Sequence, residues 1–426
     1  MRRVLFIAYL FPPIANSGTR RSLSFANHLP DLGWDPLVLT CDAARSTALD
    51  PHLLEEVRPS TRIARAPLAC QTRAERIGRW VPPRWRQNVI KGLAWRFQAR
   101  CSVPDDVASW LEPAVKEGVK LFESDGFDVI YASGWPWTAF LVAKAISVRT
   151  GRPYVLDYRD QWTPSGDHLW EYQSESQAKR NPALQRLAAQ DAAALITVTG
   201  TLVDSIAKDC GRSRIHLITN GFEPSDFQQV PPAVADGLMR ITYTGVWRQG
   251  YGLQDLYAAV AMLKSRRSPE LQHLSIEVAG FKPGPARDAG IDDIVIELGP
   301  VPHAEAVALM LSADLLYLPV PEGFYAKAAL PGKLFEYLGC GRPILAVVPK
   351  QSEVADVLGY VGGCYCVEPG DVERIADLLL KLLRSELRTT LVQVDKIQRY
   401  TRRATTERLA KVLAAAADGL QLEPMR

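Results

Sequence analysis

The residues whose types and spacing best suit chemistry lie in the segment PGKLFEYLGCGRPILAVVP, residues 331–349. Lys333 and Glu336 are three positions apart, so on a helix they share one face near its N-terminus. That end carries free N–H groups and a partial positive charge, which favour a phosphate. Lys333 adds a full charge, and Glu336 offers two acceptor oxygens to a diol such as a ribose. The pair predicts a nucleotide-sugar site, and a solvated surface pair is the alternative.

A short helix and a buried strand are expected to position this pair. Residues 333–338 have helical spacing of their apolar side chains, and Gly339 and Gly341 supply a C-terminal cap. Residues 344–348 form a continuous apolar run, which is typical of a strand in a parallel sheet. The segment therefore predicts a helix whose first turn carries Lys333, followed directly by a core strand.

The stretch PGKLFEYLGCGRPIL resembles the nucleotide-sugar motif of the retaining family-4 (group 1) glycosyltransferases, in the branch that reads P-x-K-x-F-E-Y-L. The resemblance implies an α/β protein of the GT-B fold, with two facing Rossmann-like domains and a C-terminal helix that crosses back to the N-terminal domain. It places Glu336 on the donor ribose and Lys333 on the donor diphosphate. We expect the preceding loop, with Glu322, and Leu330 to shape the sugar pocket, although Glu322 is out of register with the glutamate of the family motif. The broader family has a second glutamate eight positions before Glu336, where this chain has Ala328.

Length and composition agree with this class. A chain of 426 residues is too long for one core and predicts two domains of roughly 200 residues each. We expect an N-terminal domain over residues 1–225, completed by 400–426, and a C-terminal domain over 235–399. Apolar residues make up 47% and charged residues 23%, which is ordinary for a globular protein. The formal net charge of +3 gives no support to nucleic acid as a partner.

Targeting and redox signals are weak in this sequence. The opening MRRVLFIAYLF is cut short by Pro12 and Pro13, so we interpret it as a first strand rather than a signal peptide. No run reaches the roughly 18 apolar residues of a membrane span. The seven cysteines are scattered, which predicts reduced thiols in a cytoplasmic protein.

The loop FPPIANSGTRR follows the first strand and leads into a helix. Gly18 precedes that helix, where a glycine lets the backbone approach a ligand closely. Arg20 and Arg21 lie in the first turn, where the helix dipole disfavours cations, so they meet either an anion or solvent. The pattern F-P-P-x-x-x-x-G-x-x-R resembles the first loop of the same glycosyltransferases, which implies that Gly18 faces the donor diphosphate. The chain has no G-x-G-x-x-G pattern, which disfavours a nicotinamide or flavin enzyme.

The segment LDYRDQW crowds charged side chains at the end of a predicted strand over residues 154–158. Asp157, Arg159 and Asp160 are costly there unless they pair or meet a ligand, and the carboxyl ends of such strands are where open α/β sheets bind ligands. An internal Arg–Asp salt bridge is one interpretation. The segment also resembles the family's D-[FY]-R-D-x-W signature, which implies that Asp160 and Arg159 are catalytic cleft residues, with Asp160 touching the reacting hydroxyl.

Residues 73–101 are basic and rich in tryptophan, with eight Lys or Arg against one acidic residue. Such composition suits an interfacial segment on an anionic membrane or a lipid-linked acceptor, and equally a helical excursion packed on its own domain. The residues that we assign to the acceptor or membrane side are Trp80, Arg84, Trp85 and Trp95.

The second half repeats the alternation of strands and helices, with strands expected over 240–244, 275–279, 294–298 and 313–319. A glycine-bearing loop over residues 245–252 follows the first of these strands and suits a phosphate. The resemblance places Arg248 on the donor phosphates and the loop around Val301 on the nucleobase. His303, at the start of a helix, is interpreted as structural. No His or carboxylate cluster has metal-ligand spacing, so no metal site and no cofactor are predicted.

The resemblance implies a retaining glycosyltransferase of hexosyl or N-acetylhexosaminyl type that acts without a metal ion. Its partners would be a nucleotide-sugar donor, a glycan or lipid-linked acceptor and the inner face of an anionic membrane, in bacterial-type polysaccharide or glycolipid assembly. Two alternatives share the fold: a nucleotide-sugar epimerase and a non-catalytic scaffold, the second motivated by Ala328.

Overall fold

The computed structural model describes residues 1–42, 49–70, 102–163, 174–228, 236–245, 253–320 and 327–425, together with positions 77, 85, 89, 90 and 93. The chain divides into two compact units, residues 1–219 with 402–426, and residues 220–401. Each unit contains one parallel sheet with helices on both faces. This arrangement confirms the predicted α/β fold.

The first unit has a seven-stranded sheet in the order β3-β2-β1-β4-β5-β6-β7. Its strands are β1 (Arg2–Ala8), β2 (Trp34–Cys41), β3 (Arg62–Ala66), β4 (Val129–Gly134), β5 (Tyr154–Tyr158), β6 (Ala194–Thr197) and β7 (Ile215–Leu217). Its helices are α1 (Ser17–His28), α2 (Leu111–Asp125), α3 (Thr138–Thr150), α4 (Glu175–Gln190) and α5 (Gly200–Cys210), joined by the C-terminal helix α13 (Arg402–Ala417).

Alternation along β1 explains the two layers of this unit. Val4 and Phe6 pack on one face with α1 and α13, and Leu5 and Ile7 pack on the other face with α2 and α3. All four side chains are fully buried, as expected for a central parallel strand covered on both faces. Leu409 of α13 is also fully buried in the first layer, so the predicted return of the last helix to the N-terminal domain is confirmed.

The second unit has a six-stranded sheet in the order β10-β9-β8-β11-β12-β13. Its strands are β8 (Met239–Thr244), β9 (Leu274–Ala279), β10 (Val295–Gly299), β11 (Leu315–Pro319), β12 (Ile344–Val347) and β13 (Cys364–Val367). Its helices are α6 (Leu253–Ser265), α7 (Pro285–Asp288), α8 (His303–Ser312), α9 (Gly332–Cys340), α10 (Glu353–Val361), α11 (Val372–Leu383) and α12 (Val394–Ile397). Among the helices that the structure describes, none combines the length and the apolar character that a membrane span requires.

Three elements differ from the prediction. The sequence predicts a helix over about residues 183–194. Helix α4 begins earlier, at Glu175, because Ser174 and Gln177 form a reciprocal capping box and Pro182 is accommodated inside the helix. Gly339 lies within α9 rather than at its C-terminal cap. A Cβ on Gly339 would come 2.5 Å from the Phe227 ring. Strand β3 was not predicted, since its side chains are mostly half-buried or exposed.

Candidate functional site

The helix that carries Lys333 is fixed to the sheet of the second unit by its apolar face. Pro331 precedes α9, and Gly341 ends it in the left-handed conformation with φ 67°. Phe335 and Tyr337 are fully buried. The Tyr337 hydroxyl accepts a hydrogen bond of 3.2 Å from the Thr244 amide at the end of β8. The first turn of α9 is therefore held beside the carboxyl end of β8.

Lys333 is in contact with Tyr243, the penultimate residue of β8. Its Nζ donates a hydrogen bond of 2.9 Å to the Tyr243 hydroxyl and lies 4.1 Å from the centre of the ring. Burial of the ammonium lowers the pKa of Lys333 to about 8, and the nearby Glu336 carboxylate opposes this shift. A partly desolvated cation of this kind gains more interaction free energy from an incoming anion than a fully hydrated cation does.

Three glycines end adjacent strands beside Lys333. Gly245 follows β8, Gly280 follows β9 and Gly299 ends β10, with φ values of 152°, 113° and 77°. A Cβ on Gly245 would lie 1.9 Å from the Lys333 Nζ, and a Cβ on Gly280 would lie 2.6 Å from the Gly245 carbonyl oxygen. The Gly280 amide donates to the Gly299 carbonyl at 2.8 Å. These glycines form a stretch of bare backbone, which the sequence signals only by a glycine at or just after the end of each of the three strands.

The remaining predicted donor residues of the second unit differ in their exposure. Glu336 is half-buried on α9, one turn after Lys333, and no donor among the described residues reaches its carboxylate. Val301 is half-buried in the loop between β10 and α8. The structure places Leu330 in the apolar core, where it is 7% exposed. Ala328, which stands where the family has its second glutamate, is also buried.

Several predicted residues cannot be placed. Arg248, Glu322, Trp80, Arg84 and Trp95 lie outside the residues that the structure describes. Trp85 is described and is 57% exposed.

In the first unit, Arg159 follows β5 and reaches across to the end of β4. Its Nε donates to the Gly134 carbonyl at 2.7 Å, and its Nη2 donates to the Trp135 carbonyl at 2.6 Å. Strand register explains this contact, because Gly134 pairs with Tyr158 in the sheet. Asp160 is exposed beside it. Arg159 therefore orients the backbone at this edge. Desolvation by the surrounding protein raises the pKa of the Asp160 carboxyl, and the neighbouring Arg159 charge opposes this shift.

Gly18 lies directly under the Arg159 guanidinium. A Cβ at position 18 would come 1.8 Å from Nη1 of Arg159. The Gly18 amide is already engaged, because it donates to the Asn16 side chain at 2.9 Å in the N-terminal cap of α1. The absence of a side chain at Gly18 therefore lets the Arg159 guanidinium lie against the backbone of α1.

A buried ion pair joins Arg21 and Asp157 in the first unit, a pairing that the sequence did not predict. The Arg21 guanidinium donates to both oxygens of Asp157, from Nε at 2.8 Å and from Nη2 at 3.0 Å, and the Tyr131 hydroxyl also donates to Asp157. Arg21 further donates to the carbonyls of Ile218 and Thr219 at 2.9 and 2.8 Å. The anion that Arg21 meets is thus Asp157, and the Arg–Asp salt bridge near β5 does not use Arg159.

One feature of the sequence indicates that Arg21 has a buried anionic partner. Arg21 precedes the buried Phe25 by four positions, so both lie on the inner face of α1, and the guanidinium is 4.7 Å from the Phe25 ring centre. A cation on the buried stripe of a helix needs an anionic partner. Its partner, 136 residues away, is identified only by the fold.

No group of three or more potential metal ligands occurs among the described residues. Arg20 pairs with Glu56 at the surface, so both arginines of the first helical turn have protein partners. The candidate groups that the described residues offer are therefore a partly desolvated cation at Lys333 and an exposed carboxylate at Asp160.

Two family models match the sequence. The glycosyl transferase 4-like domain matches residues 18–221, and the glycosyl transferases group 1 family matches residues 239–385. No curated relative matches the sequence.

Solved structures resemble the whole chain. HepE from Anabaena, in complex with UDP and glucose, has a TM-score of 0.63 at 15% identity, covering 97% of this chain and 100% of its own. The lipopolysaccharide outer core galactosyltransferase WaaB has a TM-score of 0.57 at 13% identity, with coverage of 98% and 99%. A putative UDP-N-acetylglucosamine 2-epimerase from Listeria monocytogenes has a TM-score of 0.54 at 13% identity, with coverage of 100% and 99%. At these identities the likeness concerns the fold. With a glycosyl transferase 4-like domain followed by a group 1 domain, the chain belongs to the GT-B glycosyltransferases.

Proposed function

We propose that this protein transfers a sugar from a nucleoside diphosphate sugar to an acceptor hydroxyl with retention of anomeric configuration. The observation that carries the proposal is the Lys333 ammonium, held against the bare backbone of Gly245 in the group 1 domain. HepE was solved with UDP and glucose, which supports a nucleotide sugar as the donor. A hexosyl or N-acetylhexosaminyl group is the sugar that we expect.

In the proposed reaction the bond between the anomeric carbon and the diphosphate oxygen breaks, and the acceptor oxygen bonds to the same carbon from the same face. Negative charge develops on the leaving diphosphate, which takes up the acceptor proton. Lys333 stabilises this charge together with Arg248, so that electrostatic stabilisation and positioning supply most of the catalysis. No protein nucleophile, cofactor or divalent metal ion is required in this scheme.

The remaining donor contacts follow the predicted assignment. Glu336 offers its two carboxylate oxygens to the ribose hydroxyls, one helical turn from the diphosphate. The loop at Val301 reads the nucleobase through its backbone, and Glu322 shapes the sugar pocket. The buried Ala328 leaves one sugar contact of the broader family unfilled, which we expect to alter the preferred sugar.

The acceptor is assigned to the first unit, with Asp160 at the reacting hydroxyl. We propose that the basic tryptophan segment, in which Trp85 is exposed, meets an anionic membrane or a lipid-linked acceptor at the cytoplasmic side. Polysaccharide or glycolipid assembly is the process that uses such acceptors.

Proton NMR of the purified protein with UDP-, GDP-, ADP- and dTDP-sugars tests this function. A glycosyltransferase slowly releases free nucleoside diphosphate by transfer to water, and the Lys333→Ala variant loses this release. The matched control is Lys381→Ala, which removes an exposed lysine from α11. An altered sugar on an intact nucleotide would instead establish the epimerase, and binding without turnover would establish the scaffold.

A further inference from the structure

The sequence SGWPW at the end of β4 places two tryptophans in opposite environments. Trp137 is 1% exposed and stacks on Trp162, with ring centres 5.3 Å apart and planes at 5°. Trp135, two residues earlier, is 38% exposed. Burial in the core explains Trp137, whereas the apolar surface of Trp135 gains only part of the stabilisation that burial gives.

The backbone under Trp135 is held in place. The Trp135 carbonyl accepts a hydrogen bond from Arg159, and so does the Gly134 carbonyl before it. Arg159 in turn lies against Gly18, and the buried Trp137 anchors the chain on the other side. A single exposed apolar residue needs no explanation on a mobile surface loop. A tryptophan on a backbone fixed from both sides, at the ligand-binding edge of an α/β sheet, is a preorganised contact surface.

Asp160 follows the end of β5, the strand that pairs with β4 in the sheet. Gly134 pairs with Tyr158, so the residues that follow these strand ends are neighbours, Trp135 on one side and Arg159 and Asp160 on the other. Asp160 is exposed, and no hydrogen-bond donor among the described residues reaches its carboxylate. A flat apolar ring beside an acceptor of hydroxyl protons matches the surface of a sugar, whose ring has one face of C–H groups and a rim of hydroxyls.

We propose that Trp135 and Asp160 form the acceptor subsite of the first unit, and that the acceptor presents a pyranose ring there. The C–H face of the pyranose stacks on the Trp135 indole, and a hydroxyl donates to Asp160. This inference rests on the proposed function and narrows it to a glycan or glycolipid whose terminal residue is a sugar. A simple lipid alcohol or a serine side chain has no ring face to match the indole.

Saturation-transfer difference NMR tests the subsite. The probes are methyl glycosides of glucose, galactose, mannose and N-acetylglucosamine, added to the full chain together with the nucleoside diphosphate that it binds. We expect at least one glycoside to show saturation of its ring C–H protons with the wild-type protein. Trp135→Ala abolishes this signal, and Trp135→Phe, which keeps an aromatic face, retains at least about a third of it. Tyr360→Ala is the matched control, because it removes another exposed aromatic ring, on α10 of the second unit, and leaves the signal unchanged.

The outcomes distinguish a failure of the pyranose subsite from a failure of the proposed function. Nucleotide affinity is measured on the same samples, and Trp135→Ala keeps the wild-type value. If nucleotide binds but no glycoside gives a signal, or if Trp135→Ala gives the wild-type signal, the pyranose subsite is wrong while the donor site stands. If the wild-type protein binds no nucleotide or nucleotide sugar, the proposed function fails, and the subsite fails with it.

Discussion

The guanidinium of Arg159 occupies the position where a side chain at residue 18 would begin, since a Cβ on Gly18 would lie 1.8 Å from Nη1. Arg159 uses its other nitrogens to hold the Gly134 and Trp135 carbonyls. One glycine on α1 thus permits the contact that orients the end of β4.

Gly18→Ala tests this relationship. The new methyl group displaces Arg159, and the carbonyls of Gly134 and Trp135 lose their donor. Because a misplacement of about 1 Å in a substrate-positioning group can cost about a hundredfold in rate, we expect sugar transfer to fall by about tenfold to a hundredfold. Nucleotide affinity falls less than transfer does, because Lys333 and Glu336 lie on the second unit. An equal loss of affinity and of transfer would show that Gly18 itself faces the donor diphosphate.

Gly359→Ala is the control for this variant. Gly359 is exposed within α10, and a Cβ there meets no atom within 4 Å. Replacing a helical glycine by alanine stabilises by about 0.5–1 kcal/mol, so Gly359→Ala raises the thermal midpoint and leaves transfer unchanged. Wild-type transfer by Gly18→Ala would show that Arg159 does not act by positioning β4.

Gly245 and Gly284 form a second matched pair. Both have φ of 152°, so alanine introduces similar backbone strain at each position. At Gly245 the Cβ would also lie 1.9 Å from the Lys333 Nζ, whereas at Gly284 it meets nothing within 4 Å. We expect Gly245→Ala to weaken nucleoside diphosphate binding by about tenfold or more, equivalent to about 1.4 kcal/mol. Isothermal titration calorimetry measures both affinities. If Gly284→Ala weakened binding as strongly as Gly245→Ala, the assignment of Gly245 to the diphosphate site would be contradicted.

The Arg21–Asp157 pair is expected to be structural. Asp157→Asn leaves a buried guanidinium without its anion, and breaking such a pair costs about 3–5 kcal/mol. Tyr131→Phe removes one donor to the carboxylate and costs about 1.5–3 kcal/mol. Thermal denaturation measures both losses. The double variant Arg21→Met with Asp157→Leu removes both charges and regains most of the stability, and a double variant as unstable as Asp157→Asn would refute this explanation.

Binding of the donor nucleotide is expected to depend on pH through Lys333. Its pKa is lowered to about 8 by burial, and the protonated form is the one that binds the diphosphate. Affinity is therefore at its full value below about pH 8 and falls about tenfold per pH unit as the pH rises above that value. Lys333→Arg removes this dependence, because an arginine stays charged. An identical pH profile in Lys333→Arg would assign the titration to the ligand or to another group.

The fold was largely predictable because its central strands are continuous apolar runs. Residues 154–158 and 240–244 were predicted as strands, and β5 and β8 contain them. Strand β3 was missed because it lies at a sheet edge, where a run such as Arg62–Ala66 needs no apolar pattern. The predicted start of α4 is eight residues too late, because the capping box at Ser174 sets the start and Pro182 is accommodated inside the helix.

The candidate site was predictable only where its residues lie close in sequence. Lys333 and Glu336 share one helix, so their spacing indicated a common face. The contacts of Lys333 with Tyr243 and of Arg159 with Gly18 join residues 90 or more positions apart. Local spacing carries no information about such pairs, because the order of strands in the sheet brings them together.

The most direct test of the central claim is the dissociation constant of UDP, GDP, ADP and dTDP, measured by calorimetry for the wild-type protein, Lys333→Ala and Lys381→Ala. We predict that one nucleotide binds the wild type and Lys381→Ala equally. Lys333→Ala should bind it about thirtyfold or more weakly, a loss of about 2 kcal/mol, as expected for a charged contact to phosphate. Equal binding by Lys333→Ala and the wild type would contradict the placement of the donor site on α9.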